Sequence, residues 1–198
     1  MDEIWAIVLA AGESRRMGSP KMILPFKGST ILGNVIRNIT GSRVDNIIVV
    51  LGAEKQKIIQ LLKKTSVYFC INDNYKEGML SSVICGVRNL PPDLRAVLVF
   101  PGDQPLIAPE TINLLIEVYR SSGKGILIPV CEKQRGHPVL LDKKYLNEIS
   151  GLDHSEGLRS IFSKYPEDVI EVETSDSGIL KDIDTYSEYQ NEISNIVK

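Results

Sequence analysis

The 198-residue chain has no basic block, no Cys-x-x-Cys pair and no apolar run near the ~20 residues that cross a bilayer. Each absence removes a class of function. Without clustered Lys and Arg, and with a net charge of −2, a nucleic-acid partner held through phosphate contacts is disfavoured. The three cysteines, Cys70, Cys85 and Cys131, are odd in number, widely spaced and set among apolar residues. They suggest neither a disulfide framework nor a zinc site, and they are expected as buried thiols in a reducing cytoplasm. Met1-Asp2-Glu3 leads straight into apolar sequence, without the positive charge that opens a signal peptide. Repeats, low-complexity stretches and linkers are missing too, so residues 1–198 read as one domain.

What is present is a regular alternation. Continuous apolar runs at 4–9, 46–51, 67–71 and 95–100 read as buried parallel strands. Helical spacing between them predicts helices over 30–39, 54–64, 79–90 and 110–119. Shorter strands are expected at 125–130, 138–141 and 169–172, and helices at 143–149, 156–162 and 186–196. Strand and helix in alternation predict an α/β fold: a single Rossmann-like, mostly parallel sheet with helices on both faces. Ligands of such sheets bind beyond the carboxyl ends of the strands, and the chemically suggestive residues fall there.

The first strand runs into Leu9-Ala10-Ala11-Gly12, then Arg16 and Lys21. Small residues let backbone N–H groups approach a phosphate chain, and the two cations can neutralise a triphosphate. The plain alternative is a solvated loop. The spacing fits neither a Walker A loop nor the glycine turn of dinucleotide-binding oxidoreductases. Past the fourth strand, Pro101-Gly102-Asp103-Gln104-Pro105 holds a carboxylate suited to Mg²⁺, or else a turn aspartate bonding its own backbone. Late in the chain, Asp182 and Asp184 flank Ile183; Asp184 is the favoured second metal ligand, although Asp184 or Thr185 can equally cap the last helix. Between the third strand and its helix, Asn74, Gly78 and Ser82 can bond a base edge and ribose, with helix capping by Ser81 or Ser82 as the simpler role. His137, in Arg135-Gly136-His137-Pro138, and Arg159 are expected on the acceptor side; His154 has less support.

These motifs, taken in order, resemble the nucleotidyltransferases of the molybdenum-cofactor type over about residues 4–190. The pattern Leu9-Ala10-Ala11-Gly12-x-x-x-Arg16-Met17-Gly18-x-x-Lys21 and the Gly102-Asp103-Gln104-Pro105 turn are its most specific parts, continued by Arg135-Gly136-His137-Pro138, Gly157-Leu158-Arg159 and Asp182-Ile183-Asp184-Thr185. The resemblance, nearest to the cytidylyl branch, implies Mg²⁺, CTP as donor and a molybdopterin-type acceptor. It also implies a cytosine dinucleotide product, pyrophosphate release and a molybdoenzyme client. Ala-Ala-Gly at 10–12 is similar to the CTP users of that family, whereas GTP users tend to have Ala-Gly-Gly. Leu158 before Arg159, where the family more often has alanine, and Asp153-His154-Ser155-Glu156 depart from the pattern. A sugar- or polyol-phosphate acceptor and a cofactor-carrying chaperone are the alternatives; an NAD(P)-dependent oxidoreductase is disfavoured by the glycine spacing.

Overall fold

The computed structural model describes residues 3–63, 65–152 and 157–196. Ten strands and seven α-helices occur among them. In chain order they are β1 (Ile4–Ala10), β2 (Pro25–Phe26), β3 (Ser29–Thr30), α1 (Ile31–Thr40), β4 (Asn46–Leu51), α2 (Lys55–Leu62), β5 (Tyr68–Ile71) and α3 (Met79–Arg88). There follow β6 (Ala96–Pro101), α4 (Pro109–Ser122), β7 (Ile126–Cys131), β8 (Gln134–Arg135), β9 (Val139–Asp142), α5 (Leu146–Ile149), α6 (Arg159–Lys164), β10 (Val169–Glu173) and α7 (Tyr186–Ile196).

The main sheet runs β10-β7-β9-β6-β1-β4-β5, with β8 paired to β7. Strands β6, β1, β4 and β5 are parallel neighbours, as the alternation predicts. Strand β9 is antiparallel to both β6 and β7. The mostly parallel sheet therefore contains a reversed strand that apolar patterning cannot reveal, because a buried strand reads the same in either direction. The small β2–β3 hairpin is likewise unannounced, since two-residue strands carry no period. The helix expected over 143–149 is a 3₁₀ turn at Lys143–Tyr145 followed by the single turn of α5. The helix expected over 156–162 is found as α6, Arg159–Lys164, and residue 156 lies outside the described residues.

Alternation along each central strand divides the core into two layers. Ile4, Ala6, Val8 and Ala10 of β1 pack with Leu32, Ile58 and Ile112 from α1, α2 and α4. Trp5, Ile7 and Leu9 face the other way, onto Leu80, Val83 and Ile84 of α3 and Ile149 and Ile161 of α5 and α6. A third cluster joins Met17 and Phe26 to Ile183 and Tyr189, so α7 is bound to the segment that follows β1. The Tyr189 hydroxyl donates to the Pro25 carbonyl at 2.6 Å, reinforcing that contact. The carboxyl ends of β1, β4 and β6 thus open at one edge, roofed by the 11–24 loop and the start of α7.

Candidate active site

Close backbone approach shapes the floor of this edge. The Gly102 N–H donates to the Leu9 carbonyl at 2.9 Å, and a β-carbon on Gly102 would lie 2.7 Å from that oxygen. At the end of β4, a β-carbon on Gly52 would meet the Ala11 carbonyl at 2.4 Å. Any side chain at either position would force the strand ends apart, so glycine holds the first loop against the Asp103 turn.

The loop after Gly12 then folds back on itself. Ser14 adopts a left-handed conformation (φ 52°), and its Oγ accepts the Lys21 N–H at 3.2 Å. Buried Met17 and Met22 anchor the loop, so Lys21 points inward and is 8% exposed. Its ammonium donates to Asp103 Oδ2 at 2.5 Å and to Asp184 Oδ1 at 2.8 Å. Arg16, on the solvent side, donates from Nη2 to Asp184 Oδ2 at 2.6 Å. Four groups, 168 positions apart at the extremes, therefore converge on one point.

Each acid reaches that point by a local device. Asp103 follows the stiff Pro101-Gly102 turn, and its carbonyl accepts the Ile183 N–H at 3.0 Å, which ties the two acidic segments together. Asp184 precedes a capping box: Glu188 Oε2 accepts from the backbone N–H groups of Asp184 and Thr185, and Thr185 Oγ1 accepts from the Glu188 N–H. Thr185 and Glu188 cap α7, so the Asp184 side chain is left to face Lys21. Asp182 is exposed on the opposite side of buried Ile183 and makes neither contact. Its charge acts instead on His137.

Electrostatics follow from this clustering. Burial by itself would lower the Lys21 pKa, but Asp103 and Asp184 together outweigh it and raise the value above 10.5. Burial would likewise raise Asp184, but Lys21 and Arg16 prevail and hold it below 3.8. The signs fix a stability profile. The lowered carboxylate contributes stability above its unfolded pKa of 3.8 and loses it as pH falls through the folded value. The raised ammonium contributes below 10.5 and loses that contribution as pH rises through its folded value. In urea denaturation with a chelator present, the stability of the wild type is expected to fall more steeply below about pH 4 than that of Asp184→Asn. Parallel acid limbs would contradict the pairing.

Two hollows meet at this edge. The first, about 330 Å³, is lined by Leu9, Ala11, Gly12, Arg16, Lys21, Gly78, Ser82, Asp103 and Asp184. The second, about 790 Å³, is lined by His137, Arg159, Phe162 and Val139 among others, and Met79 borders both. His137 is pressed toward neutrality by burial, against the opposing pull of Asp103 and Asp182. Its Nδ1 is buried without a hydrogen-bond partner among the described residues.

Most residues singled out from sequence line one of these hollows; Asp182, Ala10 and Asn74 do not. Ala10 is fully buried in the α1/α2/α4 layer and does not reach the surface of the crevice. Asn74 borders a separate polar hollow beside α3, so its side chain is not among those facing the nucleotide-sized space. Asn72 instead supports that wall: buried, it donates from Nδ2 to the hydroxyls of Ser81 and Ser82 at 2.9 and 3.0 Å. His154 lies outside the described residues. Sequence reasoning passed over Tyr75 and Met79, which also line the first hollow; an apolar residue at a helix start carries no signal that it faces a ligand.

The donor set fits a hard divalent cation. Two carboxylates already held around one ammonium face a common point, and Mg²⁺ typically takes one or two carboxylates and completes its shell with water and phosphate oxygens. Among the described residues no group of three or more His, Cys, Asp or Glu side chains forms an all-protein metal cage. No helix of the described residues is long and apolar enough to cross a membrane.

Molybdenum cofactor cytidylyltransferase of Escherichia coli is 27% identical, aligned over 96% of this chain and 95% of its own length. A probable molybdenum cofactor guanylyltransferase of Methanosarcina mazei is 32% identical over 86% of this chain and 78% of its own. Bifunctional protein GlmU of Aquifex aeolicus is 34% identical over 54% of this chain, a match spanning only 24% of that protein's length. In fold, a nucleotidyl transferase from Methanothermobacter thermautotroptrophicus superposes with a TM-score of 0.84 at 24% identity, covering 100% of this chain and 99% of its own. The chain belongs to the MobA-like NTP transferase domain family, whose pattern it matches over residues 6–169.

Proposed function

We propose that the protein transfers CMP from CTP to the terminal phosphate of a molybdopterin-type acceptor, with release of pyrophosphate. The observation that carries the reading is the Lys21 ammonium shared between Asp103 and Asp184, with Arg16 at the mouth of the same crevice. Such a site offers cations for a triphosphate and paired acids for Mg²⁺, and the reaction needs no protein nucleophile. In-line attack by an acceptor phosphate oxygen on the α-phosphorus forms one P–O bond and breaks the bond to the β-phosphate. Catalysis of this kind is positioning and charge neutralisation.

Each residue has a place in that scheme. Arg16 and Lys21 neutralise the β- and γ-phosphates and the departing pyrophosphate. Backbone N–H groups near Ala11 and Gly12 approach the phosphate chain, while Gly78 and Ser82 border ribose and base. Asp103 and Asp184 would hold Mg²⁺, which supplies charge neutralisation on phosphate oxygens. His137 and Arg159 line the larger hollow, where the acceptor docks, and Arg159 offers an exposed guanidinium to its phosphate. The likeness of Ala10-Ala11-Gly12 to the CTP users of the family supports CTP as the donor. Location in the cytoplasm and delivery of the product to a molybdoenzyme belong to the same proposal.

The test is a calorimetric titration of CTP, GTP and ATP with Mg²⁺, followed by pyrophosphate release with molybdopterin and with sugar and polyol phosphates as acceptors. CTP is expected to bind about tenfold or more tightly than GTP. Tighter GTP binding would overturn the choice of donor, and turnover only with a sugar or polyol phosphate would overturn the acceptor.

A further inference from the structure

Two thiols lie side by side where β5 packs on α3, the helix that carries Ser82 of the crevice. Cys70 sits in edge strand β5, and Cys85 in the second half of α3. Their sulfur atoms are 3.6 Å apart. Composition leads one to expect three buried thiols, but Cys85 is only partly buried. It opens onto the polar hollow of about 400 Å³ that also exposes Asn74, Glu77 and Arg88. Cys70 is buried behind it, and Cys131 lies elsewhere, in β7. The chain between the paired thiols carries Asn72, Gly78, Ser81 and Ser82, the hydrogen-bonded wall of the crevice.

We infer that Cys70 and Cys85 form an oxidisable dithiol whose intramolecular disulfide ties β5 to α3 and alters the nucleotide wall between them. The effect on nucleotide binding rests on the function proposed above; the bond itself does not. The geometry assigns the roles. Cys85, reachable from solvent, attacks a peroxide oxygen as its thiolate; the O–O bond breaks, leaving a sulfenic acid and a hydroxide that is protonated to water. Cys70 sulfur then attacks Cys85 sulfur, the S–O bond breaks, and the hydroxide leaves as water with the Cys70 proton. Burial first, and Cys85 second, push the Cys70 thiol up, so it stays protonated at neutral pH and is not the sulfur that meets the peroxide.

Closure must shorten the sulfur separation from 3.6 Å to about 2.05 Å. Ser81 and Ser82 lie one helical turn before Cys85, on the same side of α3, so drawing Cys85 toward β5 carries them with it. Both hydroxyls hold bonds to Asn72, at the end of the enclosed segment.

The experiment treats the full chain with hydrogen peroxide, then measures intact mass, non-reduced peptide maps and CTP affinity by calorimetry, before and after dithiothreitol. Expected are loss of two hydrogens, a peptide pair joining Cys70 to Cys85, and CTP binding weakened about tenfold and restored by reduction. Cys70→Ser and Cys85→Ser should each bind CTP normally and resist the effect. Persistence of three free thiols, or pairing through Cys131, overturns the dithiol. A Cys70–Cys85 disulfide with unchanged CTP affinity overturns its coupling to the wall. If the reduced protein binds no nucleotide, the functional reading fails, and the mass measurement alone decides the bond.

Discussion

Lys21→Ala is expected to lower turnover by about 10³-fold, the loss typical when one preorganised group that meets developing charge is removed. The argument starts from position. Lys21 is held inward by the Ser14 hydroxyl on its backbone N–H and by the burial of its neighbour Met22, and its ammonium touches both acids of the site. Among the described residues it is the cation that bridges both acids. Arg16 reaches only the outer oxygen of Asp184 and is largely exposed. Lys21→Arg should rescue little, because a planar guanidinium is wider than the compact ammonium held 2.5 and 2.8 Å from the two carboxylates. Folding should survive, since the three apolar clusters do not depend on the ammonium. Initial rates of pyrophosphate release, beside far-ultraviolet circular dichroism and a urea midpoint, make the check. A folded Lys21→Ala variant with near-normal turnover would remove the centre of the proposed mechanism.

The legibility of this site in the sequence follows from how local each signal is. Leu9 to Gly12 end a buried strand, and that placement alone puts them at the carboxyl edge where ligands bind. Asp103 follows the same logic at the end of β6. Alternation says only that Asp182 and Asp184 both point away from Ile183, so it does not choose between them. The direct bonds from Lys21 and Arg16 depend on where α7 docks, and that is set by Met17, Phe26, Ile183 and Tyr189 meeting from distant parts of the chain. The reversed β9 was hidden for a similar reason: its pairing with β6 and β7 is a tertiary choice, and its four residues carry no direction. Asn72 and Asn74 show the limit at single-residue scale. Two polar residues two positions apart differ in that one is buried, bonding two serines, and the other faces a different hollow. The paired cysteines were invisible because a fifteen-residue separation says nothing of contact.

Asp103→Asn is the sharper probe of the proposed metal site. The amide matches the carboxylate in size, and the backbone carbonyl that accepts the Ile183 N–H is untouched, so the tie between the two acidic segments remains. A neutral oxygen can still accept from Lys21. What disappears is one of the two charges facing the ammonium, and with it the pairing of acids that suits a hard cation. Turnover is therefore expected to fall about 10²- to 10³-fold, with the Mg²⁺ concentration for half-maximal rate shifted upward and metal-free CTP affinity changed by no more than about twofold. Asp182→Asn is the matched control. Its side chain is exposed and does not contact Lys21, so its rate should stay within about twofold of wild type. The two variants together separate charge at the metal position from charge merely nearby. Equal losses in both would mean that the acids act through the general field of the crevice, and an unchanged Mg²⁺ requirement in Asp103→Asn would remove this residue from the ligand set.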